Sequence, residues 1–149
     1  MDGVTVDDLD KESFDIFRRE ALRSGRMTEE DLNMSNEQLL DSLGLLEYGK
    51  LKRAAVLLFH RNPEKWVTGA YIKIGYFGEG SDLRYQDEIH GSILEQIDKT
   101  VELLYLKYMK AKITYEGMQR IERYFVPEEA LREALLNAIC HKQYQSGVP

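Results

Sequence analysis

The sequence predicts an α/β fold in which helices pack on a small sheet of three to five strands. The fold is expected to have an N-terminal helical pair and a C-terminal amphipathic helix. Three segments carry this prediction: an unbroken apolar run at Ala54–Phe59, a long amphipathic stretch from Ser92 to about Met109, and a final amphipathic stretch that follows Pro127. With 149 residues, of which 43% are hydrophobic, the chain is long enough to bury a substantial core.

Two features of the sequence indicate a cytoplasmic protein. The only cysteine is Cys140, so an internal disulfide is excluded and a reducing compartment is favoured. A signal peptide begins with a basic segment followed by an apolar one, and the amino end that starts at Met1–Val4 has no such pattern. The longest apolar run, Ala54–Phe59, is far shorter than the roughly 20 residues that a membrane-spanning helix needs. We therefore expect no membrane partner.

The negative charge is concentrated in the first third of the chain. The net charge is −6, and residues 1–50 hold 13 acidic and 6 basic side chains, whereas residues 51–149 hold 13 acidic and 14 basic. A nearly neutral body is compatible with a local basic patch. Charge therefore neither supports nor excludes an interaction with DNA.

Two helices are predicted before residue 50. Residues 8–24 place Phe14, Phe17 and Leu22 on one face, and Ser24-Gly25 is typical of a helix end. The second helix starts at Ser35, since Ser35 with Gln38 has the form of a capping box. Gly44 ends that helix, and a Tyr48-Gly49 turn follows it.

The predicted strands lie in the middle of the chain. The run Ala54–Phe59 is typical of a strand that is covered on both faces. Residues Ala70–Phe77 form a second predicted strand, with Ile72, Ile74 and Tyr76 on one side. Residues 112–125 alternate loosely around Gly117 and indicate a hairpin.

Two further helices complete the predicted fold. From Ser92 to about Met109, apolar residues recur every three or four positions, and Ser92 with Glu95 forms another capping box. The last helix runs from Pro127 to about Lys142, because proline suits a first helical turn.

Two groups of residues are of types that can bind phosphate or metal ions, but their spacing predicts neither kind of site. The stretch Gly75–Asp82 lacks the spacing of a phosphate-binding glycine loop, so an ordinary loop leaving a strand is the better interpretation. The histidines His60, His90 and His141 are far apart and have no metal-ligand spacing. We expect no metal site from them.

The last helix carries the strongest candidate. Glu129, Glu133, Asn137 and His141 are spaced by four and form one polar stripe. A carboxylate can orient a water and an amide oxygen one turn away can ligate Mg²⁺ at a nucleotide site. A polar stripe on an amphipathic helix is more often a solvated face, and spacing alone favours that interpretation.

Three stretches together resemble one protein family. They are Leu43–Leu46 with Gly49–Leu51 and Ala54–Phe59; Gly80–Asp82 with Gly91–Ile97; and Pro127–Ala138. The pattern resembles the transcriptional regulators often described as RecG-like ATP-dependent helicases. In that family a Schlafen/AlbA-type DNA-binding domain is followed by a connecting α/β region and then by a GHKL-type ATPase domain (the fold of gyrase, histidine kinases and MutL).

The resemblance implies roles for two residues of the last helix. That helix is similar to the GHKL N-box, which would make Glu133 the water-orienting carboxylate and Asn137 a ligand of Mg-ATP in the parent protein. The family pattern continues His-Arg-Asp-Tyr, whereas this chain has His141-Lys142-Gln143-Tyr144. Gln143 therefore removes a carboxylate from that pattern.

The resemblance also implies a division of the chain. Residues 1–50 would be a helical segment with a possible wing, residues 51–126 the α/β core of the connecting domain, and residues 127–149 the first helix of an ATPase-type domain that is cut short. The chain would be an excerpt that neither hydrolyses ATP nor unwinds DNA by itself. Its function would be to connect the DNA-binding and nucleotide-binding modules of an ATP-dependent regulator.

Three other functions stay open. Direct DNA binding would use a winged-helix-like segment, Leu39–Arg53, in which Lys50, Lys52 and Arg53 reach phosphates. A catalytic site near Asp82 and His90 lacks a recognisable nucleophile and base. The third is a homodimer formed through the helix that begins at Ser92.

Overall fold

The protein consists of two compact units, and each unit is built from segments that are not contiguous in sequence. The structure is a computed structural model that describes residues 1–109, 112–116 and 119–149, with side chains described for residues 1–109 and 124–149. Unit 1 comprises residues 1–71, 90–96 and 144–149, and unit 2 comprises residues 72–89 and 97–143. The predicted segment boundaries 1–50, 51–126 and 127–149 describe domain type, and they stay a prediction.

Unit 1 begins with three helices whose starts are set by side-chain caps. These are α1 (Lys11–Arg23), α2 (Glu29–Leu32) and α3 (Asn36–Ser42). The Asp10 carboxylate accepts from the Ser13 N–H at 3.0 Å at the start of α1. Ser35 and Gln38 form the predicted capping box at α3, with hydrogen bonds of 3.0 and 3.2 Å. Both predicted N-terminal helices are therefore confirmed.

A tight hairpin follows α3. Strand β1 (Leu46–Glu47) pairs antiparallel with β2 (Lys50–Leu51). The turn between them places Tyr48 at φ 50° and Gly49 at φ 72°. Positive φ at both central residues is the backbone of a two-residue hairpin turn, and it is unusual for a tyrosine. The Tyr48 side chain is 98% exposed at the tip of this hairpin.

The apolar run Ala54–Phe59 forms a helix, so the predicted strand was wrong. It lies in α4 (Arg53–Phe59), which buries Ala55, Val56, Leu57 and Phe59. A short apolar run that is covered on most sides has the same sequence pattern in a buried strand and in a buried helix. The surroundings decided the outcome, since α4 packs against α1 and supplies the centre of the unit 1 core.

The core of unit 1 combines an apolar cluster with a short buried polar row. The cluster centres on α1, α3 and α4 and consists of Val4, Phe14, Leu39, Leu40, Leu51, Ala55, Val56 and Phe59. In the polar row, the Ser13 hydroxyl donates to the Ser92 hydroxyl at 2.7 Å. The Gln96 amide donates to the carbonyls of Ala70 and Gly91, each at 2.7 Å. Every buried polar side chain in this row thus has a partner.

Unit 2 contains two hairpins. Strand β3 (Ile72–Phe77) pairs antiparallel with β4 (Leu83–Ile89), with Ile72 opposite Ile89 and a register shift at Tyr76/Phe77. Strand β5 (Lys112–Glu116) pairs antiparallel with β6 (Gln119–Arg123), which confirms the predicted hairpin. Gly117, around which that turn was predicted, lies outside the described residues.

The two predicted helices of the second half of the chain are also present. Helix α5 (Ile93–Leu103) starts with the Ser92/Glu95 capping box and continues into a π-helical turn at Leu104–Tyr108. Helix α6 (Glu128–Cys140) follows Pro127. In α5 the stripe residues Ile97 and Val101 are buried, as the apolar periodicity predicts.

The predicted mixed α/β class is confirmed, with small antiparallel sheets beside helices. One detail differs: in the described part of the chain, the strands form separate two-stranded sheets instead of one sheet of three to five strands. One reason is that Ala54–Phe59, the segment expected to be a doubly covered strand, is helical and therefore cannot pair with a hairpin. Within the same residues, none of the helices is long and apolar enough to cross a membrane.

Thr100 supplies a test of this packing. Its side chain is 1% exposed, and among the described residues its hydroxyl oxygen has no hydrogen-bond partner. Because an unsatisfied buried hydroxyl is destabilising, we expect Thr100→Val to raise the free energy of unfolding by about 1 kcal/mol in urea denaturation. Thr68→Val, at an exposed threonine, is the matched control and should change stability by less than about 0.5 kcal/mol. A Thr100→Val protein that is less stable than the original would contradict the conclusion that the buried Thr100 hydroxyl is unsatisfied.

Candidate functional site

Helix α6 presents the predicted polar stripe to solvent. Glu129, Glu133, Asn137 and His141 are all exposed, and Glu133 and Asn137 lie one turn apart. Within the described residues, neither the Glu133 carboxylate nor the Asn137 amide has a side-chain hydrogen bond or ion pair. The arrangement leaves both groups accessible to a ligand, and it equally fits a solvated face.

The opposite side of α6 anchors the helix within unit 2. Ile139 is buried, and Leu131 and Leu135 are half-buried. Arg132 donates to the Asp98 carboxylate at 2.7 Å, which ties α6 to α5. Both partners of this ion pair are about two-thirds buried, so it is screened less than a surface pair. These contacts hold the stripe in a defined orientation relative to α5.

The basic residues predicted to reach DNA are brought together in unit 1. Lys50, Lys52 and Arg53 are exposed and line one shallow pocket of about 500 Å³, together with Tyr48 and Glu47. The Lys50 ammonium pairs with the Asp2 carboxylate at 2.7 Å. This contact lowers the pKa of Asp2 and raises that of Lys50. Because the pair is exposed, it is weak and leaves Lys50 able to exchange partners.

The three histidines have separate local environments. His60 accepts a hydrogen bond from the Asn62 N–H at 2.8 Å and packs edge-on against Trp66. Burial lowers the pKa of His60, so its imidazole is mainly neutral at pH 7. His141 is exposed at the end of α6. Among the described residues, no cluster of three or more histidine, cysteine or acidic side chains has metal-binding geometry.

In the region considered for catalysis, His90 and Asp82 contact ordinary structural partners. His90 Nδ1 lies 2.6 Å from Glu64 Oε2, and its ring stacks on Tyr71 with 4.9 Å between centroids. Asp82 accepts from Arg84 at 3.2 Å. The loop around Asp82 joins β3 to β4, so it leads into a strand and not into the N-terminus of a helix, where backbone N–H groups bind phosphates.

The π-helical turn contains a polar cluster that sequence reasoning missed. The Asp87 carboxylate accepts from the Tyr108 hydroxyl at 2.5 Å and from the Lys107 ammonium at 2.6 Å. These hydrogen bonds lower the pKa of Asp87. Strand β4 itself was not predicted, so nothing in the sequence placed Asp87 near the end of α5. The consecutive residues Lys107 and Tyr108 match no recognisable sequence motif.

The α5 stripe has little free apolar surface for the predicted homodimer. Ile97 and Val101 are buried within the chain and Leu104 is half-buried, whereas Leu106, which lies outside the central stripe, is 76% exposed. The homodimer stays a prediction.

Comparison with protein families, with curated proteins and with solved structures found no match to this chain.

Tyr108 is the test of the polar cluster. Burial, followed by the hydrogen bond to Asp87, raises the pKa of Tyr108 to about 12. The raised pKa favours the neutral phenol, so this contribution to stability is complete below the ordinary tyrosine value of about 10 and is lost as the pH rises through about 12. We expect Asp87→Asn to lower the pKa of Tyr108 while leaving it above about 10, since burial remains.

Nuclear magnetic resonance of ring-labelled tyrosine in a pH titration measures this value for Tyr108 alone. Asp82→Asn is the matched control, because it neutralises a carboxylate that lies on the same hairpin but bonds to Arg84. An unchanged titration of Tyr108 in Asp87→Asn would contradict the hydrogen bond.

Proposed function

We propose that this chain is the connecting region of a cytoplasmic, ATP-dependent, DNA-associated transcriptional regulator and that it is not catalytic by itself. The observation that carries the proposal is the accessible pair Glu133 and Asn137 on an α6 that is anchored from its other side. The family resemblance of this helix gives those two residues a role together. On this proposal a following ATPase-type segment supplies the rest of the nucleotide pocket.

The side chains present suit such a role chemically. Carboxylate and amide oxygens are the hard ligands that Mg²⁺ takes, and Mg²⁺ is commonly held by one or two protein oxygens together with phosphate oxygens. The Asn137 amide oxygen would ligate the ion of Mg-ATP, which supplies charge stabilisation to the phosphates. The Glu133 carboxylate would orient the attacking water. The fixed orientation of α6 would keep both groups in place without rearrangement when nucleotide binds.

Mg-ATP calorimetry tests the proposal. We expect this chain not to bind Mg-ATP, and a longer form that continues through the ATPase-type segment to bind it. Asn137→Ala should weaken the longer form by at least about tenfold, because a metal ligand is lost. Gln145→Ala removes an exposed amide outside α6 and is the matched control. If the longer form ignores nucleotide, the stripe is an ordinary solvated face and the proposal fails.

A second function, direct binding of duplex DNA through unit 1, is favoured by one observation. Lys50, Lys52 and Arg53 lie around one pocket beside the fully exposed Tyr48. A helix followed by a projecting hairpin is also the local arrangement that the winged-helix-like segment Leu39–Arg53 requires. This function ranks second because Glu37 and Asp41, on the exposed side of α3, would repel phosphates.

Salt-dependent DNA affinity tests this second function. Lys52→Glu with Arg53→Glu should weaken binding to duplex DNA and reduce the slope of log affinity against log salt by about two, since each contact displaces a counterion. Arg19→Glu with Arg23→Glu reverses two exposed charges on α1 and is the control. Equal loss in both double variants would indicate a general charge effect and contradict a site on the hairpin.

A further inference from the structure

Unit 2 has an exposed aromatic surface made by three tyrosines. Tyr76 and Tyr85 are cross-strand partners on β3 and β4, and their rings stack with 4.9 Å between centroids and 14° between planes. Tyr108 continues the array at 5.3 Å from Tyr85. Tyr76 is 43% exposed and Tyr85 is 37% exposed. Aromatic rings that are stacked in a row and left open to solvent are a common surface for stacking planar ligands.

The same tyrosines line a concave pocket. Its volume is about 640 Å³, within the range of pockets that bind small molecules. Its other walls come from Arg84 on β4, from Lys107 and Met109 at the π-helical turn, and from Phe125 and Val126 in the segment before α6. Phe125 is 87% exposed, so it contributes a fourth aromatic side chain that has no buried structural role. The pocket therefore offers ring surface on more than one wall.

Among the described residues that line this pocket, Arg84 and Lys107 are cations and none is a carboxylate. The Lys107 ammonium lies 4.9 Å from the ring centroid of Tyr85 and 5.7 Å from that of Tyr108. It donates one of its three N–H groups to Asp87. Arg84 pairs with Asp82 at 3.2 Å, with both side chains about 60% exposed. Such an exposed pair contributes little energy, so Arg84 can exchange Asp82 for a phosphate.

We propose that this pocket binds a nucleobase stacked on Tyr76, the end ring of the array, with its phosphate held by Arg84 and Lys107. The ligand is a nucleotide, either free or as one residue of a single strand of nucleic acid. Stacked aromatic rings beside basic side chains provide both parts of this recognition, since every base has a π-face and every nucleotide has a phosphate. The proposal concerns a site different from the α6 stripe, and it needs neither Mg²⁺ nor any segment beyond this chain.

Fluorescence anisotropy with a labelled oligothymidylate of about ten nucleotides tests the proposal on the 149-residue chain without Mg²⁺. We expect saturable binding that weakens as salt is raised. Tyr76→Leu keeps an apolar side chain but removes the ring, and it should weaken binding at least about fivefold. Arg84→Glu, at an exposed position, should weaken it about tenfold. Thermal unfolding of each variant shows whether the fold is retained.

Matched controls alter exposed side chains that lie outside this pocket. Leu22→Ala removes an exposed apolar side chain on α1, and Arg23→Glu reverses an exposed arginine on the same helix. Both should leave the affinity within about twofold of the original protein. Binding that is lost when Lys52 and Arg53 are both changed to Glu but kept in Arg84→Glu, or affinity that is unchanged in Tyr76→Leu, would overturn the proposal.

Thymidine monophosphate distinguishes the two sources of the ligand. Its binding is followed through the nuclear magnetic resonance signals of Tyr76, Tyr85 and Tyr108 and through displacement of the oligonucleotide. Shifts at these rings with displacement indicate a free nucleotide site, and oligonucleotide binding without displacement indicates a strand. Absence of binding by both probes would overturn the proposal, whereas the Mg-ATP experiment on the longer form would be unaffected by that result.

Discussion

The packing of Phe59 is the contact on which unit 1 depends. Its ring stacks on Phe14 with 4.3 Å between centroids and meets the edge of Phe17 at 5.7 Å. Its carbonyl accepts the backbone N–H of Asp10 at 2.6 Å, immediately before α1. One residue therefore joins the end of α4 to the beginning of α1 by both an apolar and a polar contact. Phe14 and Phe59 are fully buried, so these contacts are removed from water.

The buried polar row depends on the same packing. Ser13 lies next to Phe14 in α1, and its hydroxyl bonds to Ser92, which also caps α5. Gln96, one turn further along α5, is held by two backbone carbonyls. Because an unpaired buried polar group is destabilising, this row restricts how α5 can begin within unit 1. The first turn of α5 is therefore positioned by hydrogen bonds as well as by apolar contact.

Unit 2 differs from unit 1 in that many of its aromatic contacts lie at the surface and not in a buried core. Strands β3 and β4 are short and mostly exposed, and several aromatic side chains of this unit stack on one another. Tyr105 stacks edge-on with Tyr124 and donates to the Val126 carbonyl at 2.7 Å, which ties the segment before α6 to the π-helical turn. The surface tyrosines thus have a structural role beside any ligand that they bind. Both proposed nucleotide sites, on α6 and on the tyrosine array, lie on exposed faces of this unit.

The sequence by itself determined the helix starts, the fold class and the accessible stripe on α6. Capping boxes at Ser35 and Ser92 and the spacing of Glu133 and Asn137 are local patterns, and local hydrogen bonds and helical geometry are sufficient to realise them. Only the tertiary structure decided that Ala54–Phe59 is a helix, because a doubly covered apolar run takes its conformation from what packs around it. It also decided the tyrosine array. The register of β3 with β4 brings Tyr76 to Tyr85, and the π-helical turn after α5 brings Tyr108 to Tyr85, across separations in sequence that no local pattern spans.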